Sequence, residues 1–228
     1  MLSWVKLPVQ WIRDHGLKDF RWTDGKGGKE TAALMVLTVI AHHAPEGTAK
    51  LSYDALTEKL GISRPMVAAG LRILVSRGII SRGDKQSIYV LNDYTAKANW
   101  GKLPAKAHYS GGLLQPFQSF KLRSRAELDA LKLYLLFVAM RDNELNAAQI
   151  SYEKIVEWTD VRREAVPAAV SLLVVNNLVR VENVVSATAR TSRGEAVAFN
   201  RYRLTHLDSY KHAGTTGRAG LEDFSNSF

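Results

Sequence analysis

The sequence contains no cysteine and only 6 prolines in 228 residues. The missing cysteines exclude a disulfide framework, thiolate zinc sites, iron–sulfur ligation and thiol catalysis. No apolar run reaches the ~18 residues that read as a bilayer span, so no membrane partner is expected. The opening MLSWVKLPVQWIRDHG carries a proline, charges and two tryptophans, where a secretory leader has an unbroken apolar stretch. A cytoplasmic protein is the expectation. Catalytic motifs are also missing: there is no HExxH, nucleophile elbow or EF-hand loop. GKGGKET (25–31) fails as a phosphate loop, because Thr23 stands where the first glycine belongs and Glu30 where a hydroxyl residue is required. His42 and His43 are adjacent, and neighbouring residues do not share a helix face, so they make no metal pair. The expectation is a non-enzyme with no catalytic, cofactor-binding or metal-binding residues.

What is present is an ordinary globular composition, 46% hydrophobic and 23% charged, with a basic excess of 31 Lys/Arg over 22 Asp/Glu. The excess is uneven. Residues 1–91 hold 13 basic against 8 acidic side chains and residues 92–124 hold 5 against 1; residues 125–207 hold 11 against 10. A basic first part is the footprint of a polyanion binder.

The chain also resembles itself. At an offset of 99, LSYDALTEKLGISRPMVAAGLRILVSRGII (51–80) lies ungapped over ISYEKIVEWTDVRREAVPAAVSLLVVNNLV (150–179). Ser52-Tyr53 meet Ser151-Tyr152, Arg64 meets Arg163, Leu74 meets Leu173, and apolar pairs fill most of the rest. The register extends upstream, where Leu34, Leu37 and Val39 meet Leu133, Leu136 and Val138. Two copies of one unit are expected. Residues 1–91 would hold a leader helix and the first copy, 92–124 a basic linker, 125–207 the second copy, and 208–228 a disordered Gly/Ser/Thr-rich tail.

Each copy reads as an apolar helix, then a short helix capped by Ser52 or Ser151. Gly61 or Asp160 breaks the chain at a tight turn. A second helix starts near Ser63 in the first copy and is closed by Gly78 or Asn177 in the left-handed conformation. A two-stranded hairpin follows. In the second copy Pro167 falls inside this second helix, where it removes a backbone donor and clashes with the preceding turn, so that helix must begin later or bend.

ALTEKLGIS (55–63), MVAAGLRIL (66–74) and RGII (77–80) resemble the helix-turn-helix core of the winged-helix superfamily, and the second copy keeps the apolar skeleton without the turn glycine. The implied fold class is mainly α with small β-hairpins (α+β), two winged helix-turn-helix domains in tandem. The tandem layout with its SWVKLPVQW leader is also similar to replication initiators of plasmids and phages.

The resemblance implies double-stranded DNA as partner. The second helix would enter the major groove with its N-terminal residues at base edges. Val67, Leu71, Leu74 and Val75 would face the core, leaving Arg64, Pro65, Met66, Ala68, Ala69 and Arg72 outward. Arg64 and Arg72 would donate to guanine or phosphate, and Ser63 would offer its hydroxyl to a phosphate. Arg77, Arg82 and Lys85 would flank the first hairpin and meet backbone or minor groove. In the second copy Arg162 and Arg163 stand at a helix start, a place for acids unless an anion is bound, and Arg190 and Arg193 would sit at the tip of a longer hairpin. Three roles stay open: a sequence-specific transcription regulator, a replication initiator of a mobile element, and an assembly module that uses the second domain to bind protein or to form a homodimer.

Overall fold

The computed structural model describes residues 1–23, 25–84, 87–95, 99–190 and 196–207, with 186–190 and 196–198 described by their backbone. Lys85, Arg193 and the tail 208–228 lie outside these residues, as does the side chain of Arg190. The protein is α+β, helices combined with small antiparallel sheets.

The chain opens with β1 (Trp4–Pro8), α1 (Gln10–Arg13) and a 3-10 turn at Gly16–Asp19. The first half then runs α2 (Gly27–His42), β2 (Thr48–Lys50), α3 (Tyr53–Leu60), α4 (Arg64–Ser76), β3 (Ile80–Arg82) and β4 (Ile88–Leu91). The segment between the halves holds β5 (Trp100–Pro104), β6 (Tyr109–Ser110) and β7 (Leu113–Leu114). The second half repeats the order with α5 (Arg125–Met140), β8 (Ala147–Gln149), α6 (Tyr152–Thr159), α7 (Val166–Val175), β9 (Val179–Arg190) and β10 (Ala196–Leu204). The two three-stranded sheets have the same topology, β2-β4-β3 and β8-β10-β9. Their registers also agree: Ala49 faces Tyr89 and Ala148 faces Tyr202, and both tyrosines are buried.

Local chemistry explains the helix ends. Ser52 Oγ accepts from the Ala55 amide and Ser151 Oγ from the Lys154 amide, each capping its helix. Gly61 and Asp160 terminate those helices at φ 66° and 57°. Asp160 tolerates that conformation although it is not glycine. Gly78 and Asn177 close α4 and α7 in the same left-handed region. Pro167 acts as expected: Arg163–Ala165 forms a 3-10 turn, and α7 begins only at Val166, which leaves proline in the first helical turn.

The long helices α2 and α5 are buried almost all round and pack on each other. Helix α4 approaches α2 closely because Gly70 carries no side chain there; a Cβ would stand 3.0 Å from the Ala33 backbone. The buried side chains form one continuous apolar cluster drawn from both halves.

Three features depart from the sequence reading. The leader holds its expected short helix, α1, but also a strand and contacts to the second half. Its strand β1 pairs with β5, Arg13 donates to the Ala139 carbonyl of α5 at 3.4 Å, and His15 packs on Trp158 of α6 at 4.8 Å. The segment 92–124, expected as a linker, supplies that strand and a second small ribbon; its Leu114, Phe117 and Phe120 are buried, as the apolar run there favours, and so is Leu103. Its prolines lie at the end of β5 and in a 3-10 turn, where no ladder donor is missed. The third strands β2 and β8 are new, and at three residues each they are too short to show a period.

Candidate nucleic-acid interface

Helix α4 lies across α2 with Val67, Ala69, Gly70, Leu71 and Leu74 buried. Its outer stripe is Arg64, Ala68, Arg72 and Val75, at the spacing of one helix face. Arg72 is exposed and has no hydrogen bond or ion pair among the described residues. Ser63 is the N-cap residue, exposed, and its hydroxyl makes no capping bond. Met66 is half-buried against the core.

Three assignments are corrected. Ala69, expected on the outer face, is only 4% exposed, because α4 is sunk deeply against α2 at Gly70. The same roll of the helix turns Val75 outward. Arg77, expected beside the hairpin facing DNA, points inward. It donates to both Glu30 oxygens at 2.7 and 3.0 Å and to the Asp19 carbonyl at 2.8 Å, and its guanidinium lies 4.0 Å from the Phe20 ring centre. It clamps the end of α4 to α2 and the leader.

Two of the other expected DNA contacts, Arg64 and Arg82, come together. Arg64 donates to Asp54 Oδ1 at 2.5 Å and lies over the Tyr53 ring at 5.3 Å. Arg82, from β3, donates to the Tyr53 hydroxyl at 3.2 Å. Tyr53 thus sits between the start of α4 and the hairpin and orients an arginine from each.

The second half rebuilds this arrangement. Arg163 pairs with Glu153 and lies over the Tyr152 ring at 5.6 Å. The hydrogen bond from Arg163 holds the Glu153 carboxyl down to about 2. Each residue is the offset-99 equivalent of Arg64, Asp54 or Tyr53. Sequence reasoning missed the aromatic and the acid, although Tyr53/Tyr152 is an identical pair and Asp54/Glu153 a like-charge pair. Arg162 is exposed beside this group.

Beyond these arginines the halves differ. The outer stripe of α7 is Ala168, Ser171, Val174 and Val175, with Ser171 at the place of Arg72. The base of the longer hairpin is tied internally, Glu182 accepting from Arg203 at 2.7 Å and pairing with Arg201 at 3.7 Å. Val181 and Val185 of β9 are exposed, the latter 62%.

Exposure decides whether the acid partners disqualify the two arginines. Both pairs are more than half exposed on each side; exposed ion pairs are weak and screened by salt, so the carboxylates do not bar an exchange of the guanidinium to a phosphate. The ring beneath each guanidinium keeps it oriented during the exchange. Among the described residues no cluster of His, Asp or Glu could hold a metal ion, and no helix is long and apolar enough to cross a membrane. No protein family, curated protein or solved structure matches this chain.

Proposed function

We propose that this is a double-stranded DNA-binding protein built from two winged helix-turn-helix units, a sequence-specific regulator of transcription. The observation that carries the reading is the duplicated arginine leading into the second helix of each unit, stacked over a tyrosine and exposed. The element order of each half, with two consecutive helices between the first strand and the closing hairpin of a three-stranded sheet, supports the same fold family. The basic excess of the first half supports its role as the main reader.

In this reading α4 enters the major groove. Arg64 and Arg72 meet base edges or phosphates, Ala68 contacts thymine methyls, and Arg82 meets the backbone. The second unit contributes Arg162 and Arg163 as phosphate contacts, since α7 carries no cation on its outer stripe. A division between one reading and one positioning unit follows from Arg72 being matched by Ser171.

One observation favours a second reading for the second unit. Val174 and Val175 of α7 and Val181 and Val185 of β9 are exposed in one half, a feature of protein-contact surfaces. An assembly role for that unit is compatible with DNA reading by the first.

Selection from a random duplex pool tests the proposal. One enriched sequence is expected. Arg72→Ala should weaken binding to it by about 1–3 kcal/mol and relax preference at the contacted position, whereas Arg64→Ala should weaken binding to every sequence alike and make its salt dependence shallower. A pool that stays unenriched, with binding that only follows salt, would remove the sequence-specific reading.

A further inference from the structure

Strand β1 of the leader and strand β5 of the segment between the halves carry almost the same five residues, WVKLP (4–8) and WGKLP (100–104). The two strands pair with each other antiparallel: Trp4 opposite Pro104, Lys6 opposite Lys102, Pro8 opposite Trp100. The register is symmetric about the lysine pair. Val5, Leu7 and Leu103 turn inward. Gly101 allows the ribbon to lie on α5, since a Cβ there would be 2.6 Å from the Val138 carbonyl oxygen. The other face shows both tryptophans and both lysines. The indole rings lean together, 5.9 Å between centroids and 8° from parallel. Lys6 Nζ is 5.0 Å from the Trp100 ring centre and Lys102 Nζ is 4.5 Å from that of Trp4.

Two like charges directly opposite in an antiparallel pair are unfavourable. The ring contacts offset part of that, at about 0.5–1 kcal/mol each on an exposed site. Lys6 is exposed and makes no ion pair among the described residues. Beside the ribbon opens a cleft of ≈ 360 Å³, walled by Trp100, Lys6 and Tyr94 and reached by Glu46, Asp93 and Thr95. Trp100 is 39% exposed and lines the cleft, with Lys6 beside it.

We propose that this ribbon and cleft bind single-stranded nucleic acid, with a base stacked on Trp100 inside the cleft and its phosphate at the lysine pair. Aromatic faces beside a cationic track are the chemistry of single-strand binding, and a base in a duplex is not free to stack on an indole. The carboxylates of Glu46 and Asp93 repel a phosphate within the cleft and accept from an exocyclic amino group, so cytosine is preferred to thymine. An acidic peptide would meet the lysines favourably, but the two carboxylates oppose it and it has no ring for Trp100. The surface differs from the one assigned to duplex DNA, and it stands or falls independently.

Titration of the full chain with short oligodeoxycytidylate and oligothymidylate, read by tryptophan quenching and by anisotropy of the labelled strand, tests this. Saturable quenching with tighter binding of oligodeoxycytidylate is expected. Trp100→Ala should weaken binding about ten-fold, Trp100→Phe should restore most of it, and Lys6→Ala should lower the salt slope by about 0.7. Duplex binding by the same variants should be unchanged, while Arg64→Ala should spare the single strand. Thermal melts matching the unaltered chain establish that each variant is folded. The proposal is overturned if neither oligonucleotide binds, if folded Trp100→Ala and Lys6→Ala bind as the unaltered chain does, or if poly-glutamate competes as well as the single strand.

Discussion

Single residues hold the two halves together at places that a small change would expose. Gly101 is the sharpest. With the Val138 carbonyl oxygen 2.6 Å from where a Cβ would stand, Gly101→Ala must push β5 off α5. Overpacking of this kind costs about 1–3 kcal/mol, so a lowered thermal midpoint is expected. A melt indistinguishable from the unaltered chain would show that the ribbon does not press on α5. Titrating residues act at the same junction. Burial pushes the His42 imidazole down to about 3, and burial pushes that of His108 down to about 4. His42 Nδ1 meets the Tyr109 hydroxyl at 3.0 Å, and the His108 ring packs on His206 at 5.1 Å. Both histidines are neutral in the folded chain, whereas the unfolded chain takes up protons below about 6.5. Stability is therefore full above that pH and declines as pH falls from about 6.5 toward 3–4. The decline approaches about 1.4 kcal/mol per pH unit for each group. Denaturant midpoints measured between neutral pH and pH 4 should fall, and His42→Phe should flatten the dependence. A midpoint independent of pH across that window would contradict the burial of these rings.

At the scale of elements, what could be read from the sequence follows the range of the interaction responsible. Caps and breaks are local. Ser52, Ser151, Gly61, Asp160, Gly78 and Asn177 all sit at the helix ends their side chains or φ values favour. Pro167 shifts the start of α7 because the proline ring acts on its own turn. Strand pairing is not local. β1 finds its partner across most of a hundred residues, and nothing in WVKLP alone says strand; the signal is its recurrence as WGKLP, visible only when the leader is compared with the segment between the halves. The outer face of α4 is partly legible. Arg64 and Arg72 lie where the apolar period puts them, whereas Ala69 is buried by the close approach that Gly70 permits, a tertiary effect. Arg77 escapes sequence reasoning for a similar cause, because its acid partner Glu30 comes from a different helix. Removing that clamp should cost more than removing a surface pair. Arg77→Ala leaves the largely buried Glu30 carboxylate without its partner, and a destabilisation of about 3 kcal/mol is expected by chemical denaturation. A change below about 0.5 kcal/mol, the range of ordinary surface substitutions, would contradict the clamp.

For the whole molecule, the duplicated unit is the organising fact, and the two copies have diverged in a directed way. Both keep the arginine over a tyrosine with a neighbouring acid. The first adds Arg72 and Arg82 toward the solvent, and the second turns Arg201 and Arg203 to internal ties while exposing valines. The shared apolar cluster, with Lys132 of α5 donating to the Phe20 carbonyl at 2.9 Å, joins leader, first half and second half. The central claim is that the paired arginines Arg64 and Arg163 face phosphates of one duplex. It is tested most directly by the salt dependence of duplex binding for the unaltered chain and for the double variant Arg64→Ala/Arg163→Ala. Removing one cation that neutralises a phosphate makes the slope of log K against log salt shallower by about 0.9, so a slope shallower by nearly twice that is the predicted result. An unchanged slope at unchanged affinity would contradict the account.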